Sequence, residues 1–145
     1  MSRGSVFAAV FAGMFAAHQV GDYWVQTDAQ AQTKGCHGPE GARACAAHVA
    51  SYTALSAMTL VGLNKALGLG LTGRAIAAAQ VISAVTHYAA DRREHGLMFP
   101  LARKTGHAGF LDRGGAPLMD QAWHVGALGV SAVVAAVLSD GTGQK

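Results

Sequence analysis

The sequence contains few charged residues, few aromatic residues, two cysteines and three prolines. Asp, Glu, Lys and Arg make up 13% of its 145 residues, whereas an ordinary soluble domain carries about 25%. This scarcity of charge, together with 51% apolar residues, excludes a disordered chain and argues against an ordinary water-exposed surface. Two cysteines exclude a disulfide-dense scaffold. The formal net charge of +3 is too small to indicate nucleic-acid binding.

The sequence contains four long runs without Asp, Glu, Lys or Arg. They cover residues 4–21, 44–64, 75–90 and 121–139, with lengths of 18, 21, 16 and 19 residues. A membrane-spanning helix needs about 17–25 mostly apolar residues, so these runs predict membrane helices. The mean hydropathy is only +0.25, because 30 alanines and 19 glycines dilute the runs. Small residues suit closely packed helices in lipid, but they also suit a soluble alanine-rich bundle, which remains the alternative.

We therefore predict an all-α fold, an up-down four-helix bundle that spans a membrane. The predicted helices cover residues 5–33, 41–63, 74–93 and 117–139, with a polar loop over 94–116. Together they form one helical domain over residues 1–139, followed by a flexible tail over 140–145. The segment at 68–73 matches G-x-G-x-x-G, but a dinucleotide site needs a strand before this motif. Because helices flank it here, we interpret the segment as a turn.

Each predicted helix carries a polar pair with a spacing of four residues. The pairs are His18 with Asp22, His48 with Tyr52, His87 with Asp91, and Asp120 with His124. Residues at this spacing lie on one face of a helix. Two pairs lie where the first and third helices end, and two lie where the second and fourth begin. Alternating helix directions then bring all four pairs to the same end of the bundle.

This polar layer predicts a site for one or two divalent metal ions. The candidate ligands are His18, Asp22, His48, His87, Asp91, Asp120 and His124. Imidazole and carboxylate ligands suit Zn²⁺, Fe²⁺ or Mn²⁺, and helix bundles build di-metal sites from such side chains on facing helices. A metal with an open position can activate water for hydrolysis. Tyr52 is a candidate general acid or ligand-orienting donor, and Gln26 and Gln121 are candidates for orienting ligands or substrate.

Two other interpretations of the layer stay open. It could belong to a non-catalytic membrane protein that carries or senses metal or protons. It could also be a structural network in which His–Asp pairs only tie the helices together. Ionisable residues inside a membrane are costly and usually functional, which favours the metal site.

The basic residues are distributed unevenly between the two ends of the predicted bundle. The connections after the first and third predicted helices, with the adjoining helix ends, are the first and third links. They carry seven of the 11 Lys and Arg residues, whereas the two termini and the second link, between the second and third helices, carry four. The positive-inside rule then places the first and third links, and the polar layer with them, on the cytoplasmic side of a cell membrane. The basic, glycine-rich loop over residues 92–116 could also bind phosphate groups or anionic lipid heads. The expected partners are the lipid bilayer and a phosphate-containing or lipid-linked substrate, without nucleic acid; the oligomeric state is left open.

The polar residues together resemble the pattern of a family of small multi-pass membrane proteins of unknown function, which occurs in bacteria and phages. The resemblance covers residues 17–126 and rests on H-x3-D-x3-Q-T from His18, Lys34, H-x3-Y from His48, H-x3-D from His87 and D-Q-x2-H from Asp120. It implies membrane helices and functional polar positions, but no established reaction. The chain is also loosely similar to bacterial membrane proteins described as metal-dependent hydrolases, which implies hydrolysis as the reaction type.

Overall fold

The computed structural model describes residues 1–140, and among these residues all regular secondary structure is helical. In chain order the α-helices are α1 (Arg3–Val20), α2 (Asp28–Thr33), α3 (Gly38–Leu67), α4 (Gly73–Asp91), α5 (Met98–Lys104), α6 (Ala108–Phe110) and α7 (Ala116–Leu138). Two π-helical turns, Gly21–Val25 and Leu111–Gly115, continue α1 and precede α7, and a short 3₁₀ turn covers Arg93–His95. The predicted all-α class is confirmed.

The four long helices pack side by side. Helix α1 contacts α3 and α7, and α4 contacts the same two helices. Their apolar core is built largely from small side chains, with a few large residues such as Met14, Leu60 and Leu128 at its centre. At one end of this core the Thr72 hydroxyl donates a hydrogen bond to the Leu138 carbonyl oxygen over 3.2 Å. That bond ties the end of α7 to the link between α3 and α4.

The first helix is shorter than predicted. A single helix over residues 5–33 is wrong, because Gln26 adopts an extended conformation with ψ of 129°. Thr27 then starts α2 with a capping box: its hydroxyl accepts a hydrogen bond from the Gln30 amide, and the Gln30 side chain accepts one from the Thr27 amide. These two bonds satisfy backbone donors that a new helix start would leave unpaired, so the break is locally encoded.

The predicted polar loop over 94–116 is also mostly helical. It contains α5, α6 and the π-helical turn before α7. The exposed Arg103 side chain holds these short pieces together, with Nη2 at 2.8 Å from Glu94 Oε1 and Nη1 at 3.0 Å from Asp112 Oδ1. Gly106, with φ of 89°, lies between α5 and α6.

The G-x-G-x-x-G segment forms the turn between α3 and α4, as predicted. Gly68 ends α3 in the left-handed conformation with φ of 61°, which glycine adopts without a steric penalty. The Asn64 side chain closes the turn by donating to the Leu71 carbonyl over 3.0 Å and accepting from the Leu71 amide over 2.9 Å. No strand precedes the motif within residues 1–140.

Three helical segments are long and apolar enough to cross a membrane. They are Arg3–Val25, Gly38–Leu67 and Ala108–Leu138, of 23, 30 and 31 residues. Helix α4 does not meet the same criteria within the described chain, since polar residues interrupt it from Gln80 onward. Of the predicted tail, residues 141–145 lie outside the described residues.

Candidate metal centre

The structure brings all seven predicted metal ligands into one cluster between the long helices. Each contributing segment supplies part of it: α1 and its π-helical turn, α3, α4 and α7. The four histidines are buried, with at most 2% of each side chain exposed, and they are His18, His48, His87 and His124. Of the three aspartates, Asp91 is equally buried, Asp22 is 8% exposed and Asp120 is 26% exposed. The layer is therefore closed on the side of the histidines and open near Asp120.

The spacing of four residues has the predicted effect within each helix. His18 Nε2 lies 3.4 Å from Asp22 Oδ2. His87 Nε2 lies 3.1 Å from Asp91 Oδ2, and His124 Nε2 lies 3.5 Å from Asp120 Oδ2. In all three pairs the imidazole Nε2 is the atom that faces the carboxylate, so these nitrogens share one orientation toward the layer.

Two aspartates connect the helices across the layer. Asp22 Oδ1 lies 3.4 Å from His48 Nε2 and 3.6 Å from His87 Nε2. Asp91 Oδ2 lies 3.3 Å from the same His48 nitrogen, and Asp91 Oδ1 lies 3.7 Å from His124 Nε2. Each carboxylate thus presents its two oxygens to different neighbours, as a carboxylate that bridges two ions must.

Three overlapping groups of side chains have a geometry that could hold a metal ion. They are His18 with Asp22, His87 and His124; His48 with His87 and Asp91; and Asp91 with Asp120 and His124. Within each group the ligand atoms lie within 4.8 Å of one another. The second and third groups share Asp91, so two neighbouring ions could occupy them with this carboxylate between them.

Several buried ligand atoms have no hydrogen-bond partner within residues 1–140. They include His18 Nε2, His124 Nε2 and Asp22 Oδ1. Buried polar atoms in folded proteins are normally paired, because leaving one unpaired costs about 1–3 kcal/mol. These atoms face a carboxylate or an imidazole at 3.4–3.7 Å without an aligned hydrogen bond. A cation could satisfy several of them at once, so the donor set fits a divalent metal.

The same layer also contains contacts that need no metal. His48 Nε2 and His87 Nε2 lie 3.0 Å apart and form a hydrogen bond whose direction depends on the tautomers. The His87 and His124 rings pack with centroids 4.2 Å apart. These contacts support the structural-network interpretation, since they hold helices together through the imidazoles themselves.

Lys34 is part of the layer, although the metal-ligand pattern of the sequence did not include it. Its ammonium lies 2.9 Å from Asp91 Oδ2, and both side chains are buried. The two side chains form a direct ion pair inside the layer. In the sequence, only the resemblance to the membrane-protein family pointed to Lys34 as a functional residue. No helical spacing relates Lys34 to Asp91.

Arg92 explains how Lys34 reaches this position. Its guanidinium is buried and donates a hydrogen bond from Nη1 to the Lys34 carbonyl oxygen over 2.7 Å. Although Arg92 and Arg93 directly follow Asp91 in the chain, the cation that pairs with Asp91 is Lys34. The next arginine, Arg93, packs against Gly35, where an added Cβ would lie 2.6 Å from Arg93 Cδ.

A pocket of about 450 Å³ adjoins the layer. It lies between the end of α1, α2, α5 and the start of α7, and all three aspartates and Lys34 line it. Gln26 and Gln121, the candidate orienting residues, also line this pocket. Gln26 Nε2 is buried without a hydrogen-bond partner in the described chain, while Gln121 Oε1 accepts a long bond of 3.4 Å from Gln19. Both amides are placed to contact a bound molecule.

Tyr52 is buried beside the histidines, but its hydroxyl is already engaged. The hydroxyl forms a 2.6 Å hydrogen bond with the Ser83 hydroxyl, one turn before His87 on α4. The Tyr52 ring packs on the His87 ring with centroids 4.4 Å apart. This geometry suits a residue that holds the His87 ring in place; the role of Tyr52 as general acid stays a prediction.

Comparison with known proteins adds no relative to this description. No family model matches the chain, and neither a curated protein nor a solved structure matches it significantly. The site therefore rests on its own geometry.

Proposed function

We propose that this chain is a membrane-embedded metal-binding protein, an up-down four-helix bundle whose His/Asp layer holds one or two divalent ions, and that it hydrolyses a phosphoester or lipid-linked substrate. One observation carries the proposal. Four buried imidazoles and three carboxylates from four helical segments converge, and His18 Nε2, His124 Nε2 and Asp22 Oδ1 have contacts of 3.4–3.7 Å there but no aligned hydrogen bond. Apolar packing alone would not collect such groups, because burying unpaired polar atoms is unfavourable.

The distribution of apolar side chains supports a membrane location. In the three apolar segments only 33–39% of the residues in the most apolar window are buried inside the chain, and the others are exposed or half-buried. Helix α4 contributes to this surface as well, with Val81 and Val85 each 63% exposed. Large continuous apolar surfaces mark membrane or protein contacts. Near the layer, Tyr23 and Trp24 are 63% and 85% exposed, and such aromatic residues favour the membrane–water interface.

The pocket beside the layer supports hydrolysis over simple metal storage. A metal ion with an open position lowers the pKa of bound water and stabilises charge on a phosphoryl oxygen. In hydrolysis the water oxygen forms a bond to phosphorus, the bond from phosphorus to the leaving oxygen breaks, and that oxygen takes up a proton. Asp120 lies at the open side of the layer and lines the pocket, so substrate and water can reach the ligands there.

Metal analysis of detergent-purified protein tests the proposal. We expect one or two equivalents of Zn, Fe or Mn by elemental analysis, and X-ray absorption spectra with nitrogen and oxygen ligands. His124→Leu should reduce the metal content sharply. His107→Leu is the matched control, because His107 is an exposed histidine outside the layer. Hydrolysis of chromogenic phosphate monoesters and diesters should require the metal and disappear in the same variant.

The structural network is the second candidate, favoured by the direct His48–His87 hydrogen bond and the Lys34–Asp91 ion pair. It predicts a protein without stoichiometric metal after purification and reloading. It also predicts that His124→Leu affects only stability. Metal content thus separates the two candidates before any substrate is known.

A further inference from the structure

We propose that the pocket beside the layer binds the phosphate group of an ester with an apolar substituent, that it does so only when the layer holds metal, and that Lys34 determines this specificity. The inference rests on the proposed function and names the substrate class of the same site. Four observations carry it: the charge of the pocket lining, the position of Lys34, the conformation of Arg93 and an unpaired amide.

The formal charges around the pocket make anion binding depend on metal. Three carboxylates line it, from Asp22, Asp91 and Asp120, and two cations do so, from Lys34 and Arg93. These five side chains together have a formal net charge of −1, which does not attract an anion. One divalent ion changes the sign, and two give a net charge of +3. A phosphate group is therefore attracted to the loaded layer and excluded from the empty one.

Metal binding would also weaken the pairing of Lys34 with its counterion. The Lys34 ammonium faces Asp91 Oδ2, and the same oxygen lies close to the Nε2 atoms of His48 and His87. A metal held by this oxygen and those nitrogens would share the carboxylate with the ammonium. A buried ammonium whose counterion also neutralises a metal gains from a further anion. Because Lys34 also lines the pocket, an oxygen of a bound phosphate is the anionic partner within its reach.

Arg93 supplies a second cation from a strained backbone. It is the one non-glycine residue with positive φ in the described chain, at 50°, a conformation that L-residues rarely adopt and that is often associated with function. Gly35 makes room for its side chain, and Gly35 directly follows Lys34. Both cations therefore line the pocket, and the Arg93 side chain packs beside the residue that follows Lys34.

The remaining lining matches an ester rather than a free ion. Gln26 offers a buried Nε2 donor without a partner in residues 1–140, which can bind a further phosphate oxygen. Phe99, Ala116 and Pro117 form an apolar part of the wall, and a phosphate group makes no favourable contact with it. An apolar substituent on the phosphate would cover this part.

Calorimetric titration of inorganic phosphate into the purified protein tests the inference. The protein is first stripped with chelator and then reloaded with Mn²⁺ or Zn²⁺. We expect phosphate to bind the loaded protein and not the stripped protein. Lys34→Met should keep its metal content but lose about tenfold or more in phosphate affinity, the effect of one charge-assisted hydrogen bond. Lys34→Arg should retain most of the affinity.

Two matched controls make the result specific. Lys65→Met removes a lysine charge at the end of α3 distant in sequence from the layer, where Lys65 is exposed, and should change nothing. Dihexanoyl phosphatidic acid, a phosphate monoester with apolar chains, should displace inorganic phosphate and bind more tightly. Equal affinity for the two would overturn the assignment of an apolar substituent and indicate free phosphate as the ligand.

The experiments distinguish failure of the proposed function from failure of this inference. A protein that takes up no metal contradicts the proposed function itself. A protein that takes up metal but binds no phosphate, or binds it equally when stripped, contradicts only this inference. Lys34→Met with wild-type phosphate affinity contradicts the role of Lys34.

Discussion

Lys34 Nζ lies 2.9 Å from Asp91 Oδ2, although 57 residues separate the two in the chain. This ion pair joins the short helix α2, just before Lys34, to the last residue of α4. It also gives Asp91 two competing roles, as counterion of a buried ammonium and as candidate ligand at the centre of the layer. A substitution that neutralises Asp91 is therefore expected to affect both the ion pair with Lys34 and metal binding at the layer.

The first prediction concerns Asp91→Asn. Metal content should fall sharply, because the carboxylate shared by two of the candidate metal groups becomes a neutral amide. Stability in the presence of chelator should fall too, by about 3–5 kcal/mol, since Lys34 is left as an unpaired buried charge. Elemental analysis and denaturant unfolding measure the two effects. From the sequence alone we would expect little change in metal-free stability, because Lys34 was not recognised as the partner.

The double substitution Lys34→Met with Asp91→Asn separates these effects. It removes both charges, so much of the lost stability should return. Metal content should stay low, because the ligand is still absent. Recovery of metal in the double variant would show that Asp91 acts only as the counterion of Lys34.

The long helices and the convergence of their polar pairs were predictable from the sequence. Charge-free runs located α1, α3, α4 and α7, and the spacing of four residues fixed which side chains share a face. This periodicity predicted that the side chains of His18, His87 and Asp91 point into the bundle. On a helix, the number of residues between two positions determines whether their side chains share a face. Their meeting in one layer required only that successive helices run in opposite directions.

The short elements were not predictable in the same way. The break at Gln26 depends on the capping box of Thr27 and Gln30, which is a weak signal inside a long polar stretch. The position of Lys34 depends on Arg92, whose guanidinium binds the Lys34 carbonyl. Such contacts join distant residues without periodicity, so a single sequence does not reveal them.

The second prediction concerns His18→Leu. Neither ring nitrogen of His18 has an aligned hydrogen bond in the described chain, so the metal-free protein loses only the 3.4 Å contact between His18 Nε2 and Asp22 Oδ2. Its stability in chelator should stay equal or rise by about 1 kcal/mol, because an unpaired buried polar group is removed. Metal affinity should fall, because one candidate group loses a ligand.

His48→Leu is the matched control for this prediction. Its Nε2 forms the hydrogen bond with His87, so the metal-free protein should lose about 1–3 kcal/mol. Thermal unfolding with chelator compares the two variants. A larger loss of metal-free stability in His18→Leu than in His48→Leu contradicts the interpretation that His18 is held for a metal.

The third prediction concerns the Tyr52 hydroxyl. Ser83→Ala leaves this buried hydroxyl without its 2.6 Å partner and should cost about 1–3 kcal/mol. Tyr52→Phe should cost a similar amount, and the double variant should cost less than the sum, because both single changes break the same bond. Metal content should not change in any of the three. Loss of hydrolysis in Tyr52→Phe with unchanged stability would instead support the general-acid role.

The last prediction uses the two native cysteines to test the orientation in the membrane. Cys36 is exposed in the link between α2 and α3, whereas Cys45 is buried in α3. A membrane-impermeant maleimide should therefore react with Cys36 alone, and Cys36→Ser should abolish labelling. The positive-inside rule predicts that this link lies on the cytoplasmic side, so inverted vesicles from a bacterial inner membrane should be labelled and right-side-out vesicles should not. Labelling of right-side-out vesicles would show the opposite orientation. Recovery of the chain in the soluble fraction would contradict membrane insertion. Neither result would affect the geometry of the His/Asp layer.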